Sequence, residues 1–426
     1  MEESSKLRVG IVGGGISGAA LAVGLCRCAH LDVKLFESAP AFGEVGAGIS
    51  LGANAIRAIS GLGLAKAYHQ VADRTPKPWH DVWFEWRDSK DASYIGASMA
   101  PGVGQSSVHR ADFLSVLAES LAEGVATFSK RVVSVEQANE EVKVLFTDGS
   151  SYTGDILIGA DGIKSTVRDY VLDGSGSNLV SPHFSGTCAY RGLIDSKSLR
   201  DSYRVAGIDE HLVDVPQMYL GLDHHILTFP VKQGRLINVV AFVSDRGTPP
   251  MWPKDSPWVC SVSTEEMLKV FSTSGAAIRI LLESIQEPTC WALHDLDELP
   301  SYVYGQTALI GDAAHAMLPH QGAGAGQGLE DAYLLAKLLT NTNMKKKFVP
   351  KVLSTYDSLR RPRASLVQYS SWESGEIYEL RHQYVGSSKN DLRRSLANRF
   401  DWIWNYNLDE DVTQAIFQLG WEGAAG

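Results

Sequence analysis

The stretch GDAAHAMLPHQGAGAG, residues 311–326, is the most informative segment of the chain. Residues 307–310 are apolar and predict a strand that leads into it, and residues 329–339 predict a helix that follows it. A glycine-rich turn before a helix leaves backbone N–H groups unpaired at the positive end of the helix dipole, where an anion is stabilised. The segment therefore predicts a binding site for an anionic part of a ligand.

A second glycine-rich turn, Gly-x-Gly-x-x-Gly at positions 13–18, lies near the N-terminus. Residues 7–12 predict a buried parallel strand, residues 16–25 the helix after it, and residues 33–36 a second strand. Glu37 follows that strand, 19 residues beyond the last glycine of the motif. A carboxylate there can accept hydrogen bonds from the ribose hydroxyls of an adenosine. A turn that only permits close packing of helix on sheet would explain the glycines, but not the ordered strand, helix, strand and acid.

Two such turns at opposite ends of one chain suit a long cofactor with a diphosphate in the middle and a reactive ring at its far end. We therefore expect FAD, held at the adenosine by the first turn and at the flavin by the second. Residues 155–168 add an apolar strand, a tight turn at Asp161 and a helix start with Ser165 or Thr166 as its cap. An ordinary strand-to-helix turn would produce the same pattern by itself.

Together these three segments resemble the aromatic-ring hydroxylase family (class A) of flavoprotein monooxygenases. The resemblance implies an α/β fold: a Rossmann-like FAD-binding domain of the glutathione-reductase type, interleaved with a mixed or antiparallel β-sheet substrate domain, and a C-terminal helical region. It implies tight, non-covalent FAD, with Asp312 holding the ribityl chain and Arg110 facing the diphosphate. The residues expected to contact FAD are Gly13, Gly15, Ser17, Gly18, Glu37, Ala47, Arg110, Val133, Asp161, Asp312, Gly324 and Ala325.

More particular stretches resemble one branch of this family, the salicylate hydroxylases. They are residues 41–48, 101–110, 184–192, 214–223 and 399–405. This resemblance implies a decarboxylating hydroxylation of salicylate to catechol, with O2 and with NADH as a transient co-substrate, through a flavin C4a-hydroperoxide. Two alternatives stay open: a related hydroxylase of another hydroxybenzoate or a hydroxynicotinate, and an FAD-binding module without oxygen chemistry.

The pieces of the expected domains alternate along the chain. Residues 217–220, 226–229 and 236–243 alternate in polarity and predict antiparallel strands of a sheet that covers the flavin. The C-terminal part is expected to be helical, with the arginines around Pro362 on solvated helix faces. The predicted division is an FAD-binding domain at 1–75, 101–180 and 291–345, a substrate domain at 76–100 and 181–290, and a helical region at 346–426.

The catalytic candidates are His320, Arg246 and His225. His320 precedes the predicted flavin-facing helix, and an imidazole can hydrogen-bond a phenolic hydroxyl or help it ionise; a histidine that only fixes the loop is the alternative. Arg246 could bind a carboxylate with two parallel hydrogen bonds, unless it forms an ion pair with Asp245 or another neighbour. Arg191 is the next candidate if Arg246 does not bind the carboxylate. The expected pocket residues are Met218, Leu227, Pro319 and Gly322, with plain core packing as the alternative for Met218 and Leu227.

Charge and composition limit the partners. The chain has 39 basic and 49 acidic residues and a net charge of −10, which argues against a nucleic-acid or anionic-membrane surface. An anionic substrate must then be attracted by local arginines. The five cysteines lack the paired spacing of a zinc site, so we expect no metal and reduced thiols.

The apolar N-terminal stretch is interrupted by glycines and is not expected to be a signal peptide, and no apolar run is long enough for a membrane span. These features predict a cytoplasmic enzyme, a monomer or homodimer, whose partner is a small aromatic acid.

Overall fold

The computed structural model describes residues 6–43, 48–247, 250–253 and 255–421. The strands among them are β1 (Leu7–Val12), β2 (Leu31–Phe36), β3 (Gly48–Leu51), β4 (Asp73–Arg74), β5 (Val82–Asp88), β6 (Tyr94–Met99), β7 (Ser106–His109), β8 (Ala126–Thr127), β9 (Val132–Ala138), β10 (Glu141–Phe146), β11 (Ser151–Gly154), β12 (Ile156–Gly159), β13 (His183–Asp195), β14 (Gln217–Gly221), β15 (His224–Val231), β16 (Leu236–Ser244), β17 (Val259–Ser261), β18 (Thr289–Asp295), β19 (Val303–Tyr304) and β20 (Thr307–Leu309).

The helices of the same residues are α1 (Ile16–Cys26), α2 (Ala53–Gly61), α3 (Ala65–Val71), α4 (Arg110–Glu119), α5 (Thr166–Gly174), α6 (Ser196–Val205), α7 (His211–Asp214), α8 (Thr264–Val270), α9 (Ala276–Glu283), α10 (Asp312–His315), α11 (Gly324–Leu339), α12 (Val349–Tyr378), α13 (Lys389–Leu396), α14 (Asp401–Trp404) and α15 (Leu408–Leu419). Short 3₁₀ turns occupy Pro319–Gln321 and Lys346–Phe348.

A six-stranded sheet in the order β19-β20-β12-β1-β2-β8 carries both glycine-rich turns. Strand β1 pairs in parallel with β2 and β12, and β12 pairs in parallel with β20. Helix α1 is buried along most of its length because it packs against this sheet on one side and α11 on the other. The predicted strand–helix–strand unit at the N-terminus, and the strands leading into the Asp161 turn and residue 311, are confirmed. Parallel strands end at the same sheet edge, so the three turns meet there.

An eight-stranded sheet in the order β17-β18-β13-β16-β15-β14-β5-β6 forms the second layer. The three predicted antiparallel strands are confirmed as β14, β15 and β16, which pair with one another in sequence. Alternate residues serve different purposes, since successive side chains of a strand point to opposite faces. Val239 and Ala241 pack under α6, α8 and α9, whereas Val240 and Phe242 line a cavity on the other face.

The C-terminal helical region is confirmed, but the expectation that its arginines lie on solvated faces is wrong for Arg360 and Arg363. Both are buried in α12, where Arg360 forms ion pairs of 2.6 Å with Glu330 and 2.9 Å with Asp331 on α11. Buried carboxylates require a partner charge, and helix α12 supplies it from across the interface. Helix α12 therefore holds α11 in place instead of covering the surface.

The six-stranded and the eight-stranded sheet are each built from pieces that alternate along the chain. Strand β18 belongs to the eight-stranded sheet as far as Asp295, beyond the predicted end of the substrate domain at residue 290. Among the described residues, no helix is both long and apolar enough to cross a membrane.

Candidate active site

A cavity of about 260 Å³ lies at the carboxyl edge of the six-stranded sheet, beside the first glycine-rich turn. Among the predicted residues, Gly13, Gly15, Glu37 and Asp161 line it. Gly13 has φ of +104°, and a Cβ there would lie 2.2 Å from the Ala160 carbonyl oxygen. A Cβ on Gly15 would meet nothing within 4 Å. The first glycine is thus required by the protein itself, while the second keeps the groove open.

Gly18 is a packing residue in this structure. A Cβ on it would lie 2.1 Å from the Gly13 carbonyl oxygen, so it permits the close approach of α1 to the turn. Helix α1 begins after Gly15 without a side-chain cap. Its first N–H groups are therefore left for an anionic ligand.

The two acids of this cavity are fixed by backbone donors. Glu37 accepts hydrogen bonds from the N–H groups of Gly14 at 2.6 Å and Ala39 at 2.7 Å. Asp161 accepts from the Thr166 N–H at 2.9 Å and the Ser165 hydroxyl at 2.5 Å, and burial raises its pKa. Asp161 therefore stabilises the start of α5 and the turn that forms the cavity wall. The predicted cap is confirmed, because the Ser165 hydroxyl accepts from the Arg168 N–H.

One expected cofactor contact, Val133, does not line the groove. Val133 is 51% exposed and does not line the cavity, whereas its neighbours Arg131 and Val132 do. Successive side chains of a strand point to opposite faces, so Val132 points into the cavity and Val133 points away from it. Ala47 lies outside the described residues.

A second cavity of about 290 Å³ continues from the first and shares Gly15, Ala160 and Gly162 with it. The two cavities are therefore two ends of one groove. The predicted residues that line this end are Ser17, Arg110, Leu227, Asp312, Pro319, His320, Gly322, Gly324 and Ala325.

The far end of this groove is apolar and lies under the eight-stranded sheet. Phe84, Phe229, Val240 and Phe242 line it together with Leu227. Met218 does not line the cavity; it is 1% exposed and packs in a core with Trp83 and Trp86, so the core-packing alternative describes it. An aromatic ring of a ligand would find hydrophobic contacts on several sides here.

Arg191 brings a positive charge to the apolar end. It lies on the cavity side of β13 with its guanidinium 4.7 Å from the centre of the Trp291 ring. Burial, and then repulsion from Arg110, lower the pKa of Arg191 to about 10, so it remains a cation at neutral pH. A half-buried cation on the wall of an apolar cavity is suited to an anionic ligand group.

His320 lines the same cavity and is held on three sides. Its Nδ1 lies 3.3 Å from Nε2 of His225. A Cβ on Gly375 of α12 would lie 2.6 Å from the ring of His320, so this glycine makes room for the imidazole. The Ser371 hydroxyl of α12 donates to the Leu318 carbonyl oxygen at 2.5 Å and anchors the loop. Burial, and secondarily His225, lower the pKa of His320 to about 3, so the ring is neutral.

His225 lies behind His320 and does not line the cavity. It is fully buried and stacks on Phe242 with ring centres 4.3 Å apart. Its Nδ1 lies 3.3 Å from Oε1 of Glu379, within ion-pair distance but without the alignment of a full hydrogen bond. The two predicted histidines are thus brought together, and a carboxylate completes the set.

Arg246 is placed differently from the expectation. It does not line the cavity; it pairs with Glu379 and, at 2.5 Å, with Glu376, and lies 3.4 Å from Asp223. The ion-pair alternative therefore describes this residue. Three neighbouring carboxylates attract the guanidinium away from the cavity.

Comparison with known proteins agrees with this geometry. Residues 6–176 and 255–371 match the family model described as an FAD binding domain. A salicylate hydroxylase of Pseudomonas putida is 64% identical over 99% of this chain and 97% of its own length. The chain belongs to the FAD-dependent monooxygenase family. A 6-methylsalicylate 1-monooxygenase of Aspergillus terreus is 33% identical, over 98% of this chain and 93% of its own.

A solved structure of a salicylate hydroxylase substrate complex has a TM-score of 0.91 and 52% identity, and covers 97% of this chain and 98% of that one. The class A monooxygenase fold expected from the sequence is thus confirmed, together with FAD as the cofactor.

The residues of this monooxygenase fit FAD at both ends of the groove. Helix α11 begins at Gly324 without a side-chain cap, so its N-terminal N–H groups can face an electron-rich ring. Gly322 has φ of +63°, the left-handed conformation that lets the chain turn away before the helix. Asp312 lines the second cavity.

Glu379 and Gly375 were not among the predicted site residues, and Arg191 was predicted only as the alternative to Arg246. Glu379 and Gly375 belong to a helical segment without a recognisable motif, more than fifty residues after His320. A single glycine or glutamate in such a segment looks like an ordinary helix residue in the sequence. Its role becomes visible only when α12 is packed against the loop that carries His320.

Proposed function

We propose that this monooxygenase hydroxylates salicylate at the carbon that bears the carboxylate, so that CO2 is lost and catechol is formed. The observation that carries the proposal is a neutral, buried imidazole and a half-buried guanidinium in one largely apolar cavity, at His320 and Arg191. A hydroxyl and a carboxylate on one small aromatic ring match that pair. The 64% identity to a salicylate hydroxylase supports the same substrate.

The residues divide the work on the substrate. His320 accepts a hydrogen bond from the phenolic hydroxyl and takes its proton, because a neutral imidazole is an acceptor. The resulting phenolate pushes electrons towards the ortho and para carbons. Arg191 pairs with the carboxylate and turns the ring carbon that bears it towards the cofactor. Arg246 is less suited to this role because its guanidinium is already paired with Glu376 and Glu379.

FAD held in this groove would supply, with NADH and O2 as co-substrates, an electrophilic oxygen atom. The apolar walls around Phe229 and Phe242 keep water from that atom. The N-terminus of α11 offers backbone N–H groups to the negative charge of the reduced ring. After oxygen transfer, the bond between the ring and the carboxyl carbon breaks, its electron pair restores aromaticity, and CO2 leaves.

The net reaction consumes one salicylate, one NADH, one O2 and two protons, and yields catechol, CO2, NAD⁺ and water. The test is to supply the FAD-loaded protein with salicylate, NADH and O2, and to measure catechol and CO2 against the NADH consumed. Equal amounts support the proposal. NADH consumption with hydrogen peroxide and no catechol would make salicylate a mimic, and other hydroxybenzoates or a hydroxynicotinate would be tested next. Oligomeric state and cellular location stay predictions.

A further inference from the structure

A line of three titratable residues runs from the apolar cavity into the protein. His320 lies on the cavity wall, His225 on β15 lies 3.3 Å behind it, and Glu379, directly after α12, lies 3.3 Å behind His225. Arg246 then connects Glu379 to the surface, where its own side chain is 37% exposed. The first two residues have a part in the proposed reaction, but Glu379 has none so far.

Glu379 is a buried carboxylate with an unusual set of neighbours. It is 1% exposed, and its Oε1 accepts a hydrogen bond from the Ser244 hydroxyl at 3.0 Å. Burial alone would raise the pKa of Glu379, but the interaction with His225 and the hydrogen bond from Ser244 outweigh it and lower the pKa to about 2. Glu379 is therefore an anion throughout the working pH range.

The charged and titratable groups around this line come from four elements. They are His224 and His225 on β15, Asp223 before it, Arg246 after β16, Glu376 on α12, Arg381 after α12, Tyr378 against His225, and His320. Arg246 and Arg381 are balanced by Asp223 and Glu376, so these outer groups form a closed set of ion pairs. Only Glu379 presents a negative charge to His225 among the described contacts.

We propose that Glu379 is a positioning residue for ionisation of the substrate hydroxyl: it orients His225 and offsets the positive charge that the paired imidazoles acquire with the proton. In this step the phenolic O–H bond breaks, an N–H bond forms on His320, and the electron pair stays on the phenolate oxygen. The inference rests on the proposed function, because it needs a hydroxylated aromatic substrate.

The physical reason lies in the low polarity of the site. A proton that reaches the buried His320 creates a cation in apolar surroundings, which is costly without a nearby anion. A carboxylate behind His225 lowers that cost, because its negative charge lies 3.3 Å from Nδ1 of the ring. Arg246 holds the other oxygen of Glu379 and prevents it from rotating away.

Glu376 offers a matched control. It lies one helical turn before Glu379, also pairs with Arg246, and makes no described contact with either histidine of the line. Glu379→Gln and Glu376→Gln therefore remove the same charge from the same arginine. Only the first removes it from His225.

The experiment uses both variants as FAD-loaded protein and 5-nitrosalicylate as the probe, whose absorption moves to longer wavelength when its hydroxyl ionises. We expect Glu379→Gln to raise the pH at which the bound probe ionises by about one unit or more, the effect of losing an opposite charge nearby. Its kcat near neutral pH should fall roughly tenfold, the equivalent of one pKa unit, and recover as the pH rises. Glu376→Gln should behave as the wild type in both.

Equal shifts in both variants, or an unmoved ionisation in Glu379→Gln, would overturn the proposal. FAD content and thermal unfolding show whether either variant fails to fold, and Glu379→Asp, which keeps the charge, should return the ionisation towards that of the wild type. The probe titration needs no turnover. A wild-type protein that ionises the probe but makes no catechol would therefore refute the proposed reaction while leaving the role of Glu379 intact.

Discussion

The two ends of the groove are built in different ways. At the first end, Gly13, Gly15 and Glu37 come from one strand–helix–strand unit, and the protein uses mainly backbone groups. At the second end, Arg191 and His320 come from different layers, and side chains carry the chemistry. The first end tolerates little change in backbone shape, whereas the second depends on the charge and protonation of a few side chains.

This difference separates two properties of the enzyme. Holding the cofactor is a matter of space and of unpaired N–H groups, which change only when the backbone changes. Choosing and activating the substrate is a matter of electrostatics in an apolar cavity, which a single side chain can alter. Substitutions at the two ends should therefore fail in different assays.

The largest effect is expected from Gly13→Ala. The new Cβ would collide with the Ala160 carbonyl oxygen at a φ that alanine rarely adopts, and the strain should destabilise the fold by roughly 2–4 kcal/mol. FAD binding should be lost with it. Chemical unfolding of the apoprotein and the flavin absorption of the purified protein measure the two effects.

Gly15→Ala is the matched control at the same end. Its Cβ meets no atom of the described residues within 4 Å, so the apoprotein should remain as stable as the wild type while FAD affinity falls, because the methyl group enters the groove. Equal losses of stability in both variants would show that the two glycines do not differ as described.

His320→Ala should follow in size. Losing the proton acceptor should lower coupled product formation by roughly ten- to a hundredfold, the usual contribution of a general base, with FAD content intact. The buried neighbour His224 bonds to the Leu222 carbonyl oxygen and Ser89, away from the cavity, and His224→Gln should retain activity. Unchanged turnover in His320→Ala would remove this histidine from the mechanism.

The next effect distinguishes two arginines. Arg191→Met should raise the KM for salicylate by about tenfold or more, since a buried charge-assisted contact contributes about 1.5–3 kcal/mol. Arg246→Met should lower kcat more than it raises KM, because Arg246 touches Glu379 and not the cavity. Steady-state kinetics measures both effects, with FAD content as the control. A larger rise in KM for Arg246→Met than for Arg191→Met would show that Arg246 binds the substrate carboxylate.

The smallest effect concerns stability in acid. The folded protein holds the pKa of His320 near 3, below the ordinary 6.5, so the unfolded chain binds a proton first as the pH falls. The free energy of unfolding should therefore decrease from about pH 6.5 downwards. Glu379, with its pKa lowered to about 2, should add to this decrease below its ordinary value of 4.5.

Urea unfolding at a series of pH values between 7 and 5 measures the first part of this decrease. In His320→Gln the slope over that range should be smaller than in the wild type, because the titrating group is gone. An identical slope would mean that other groups carry the acid sensitivity.

The sequence by itself determined the first end of the groove and the fold around it. The glycines at 13–18, Glu37 and the Asp161 turn lie in continuous segments, and local periodicity and turn chemistry suffice to predict a strand, a turn and a helix. The three antiparallel strands over the ring end followed from their alternating pattern for the same reason. These elements are decided by neighbours along the chain.

Only the tertiary structure decided the second end. Arg191 lies on β13 and Arg246 lies just after the adjacent strand β16, and which of them reaches the cavity depends on strand register and on where Glu376 and Glu379 lie. Met218 and Leu227 are partners on adjacent strands, yet packing places Leu227 at the cavity and Met218 in the core with Trp83 and Trp86. These outcomes depend on packing between segments far apart in sequence, and a buried charge takes its role from the partner that packing brings to it.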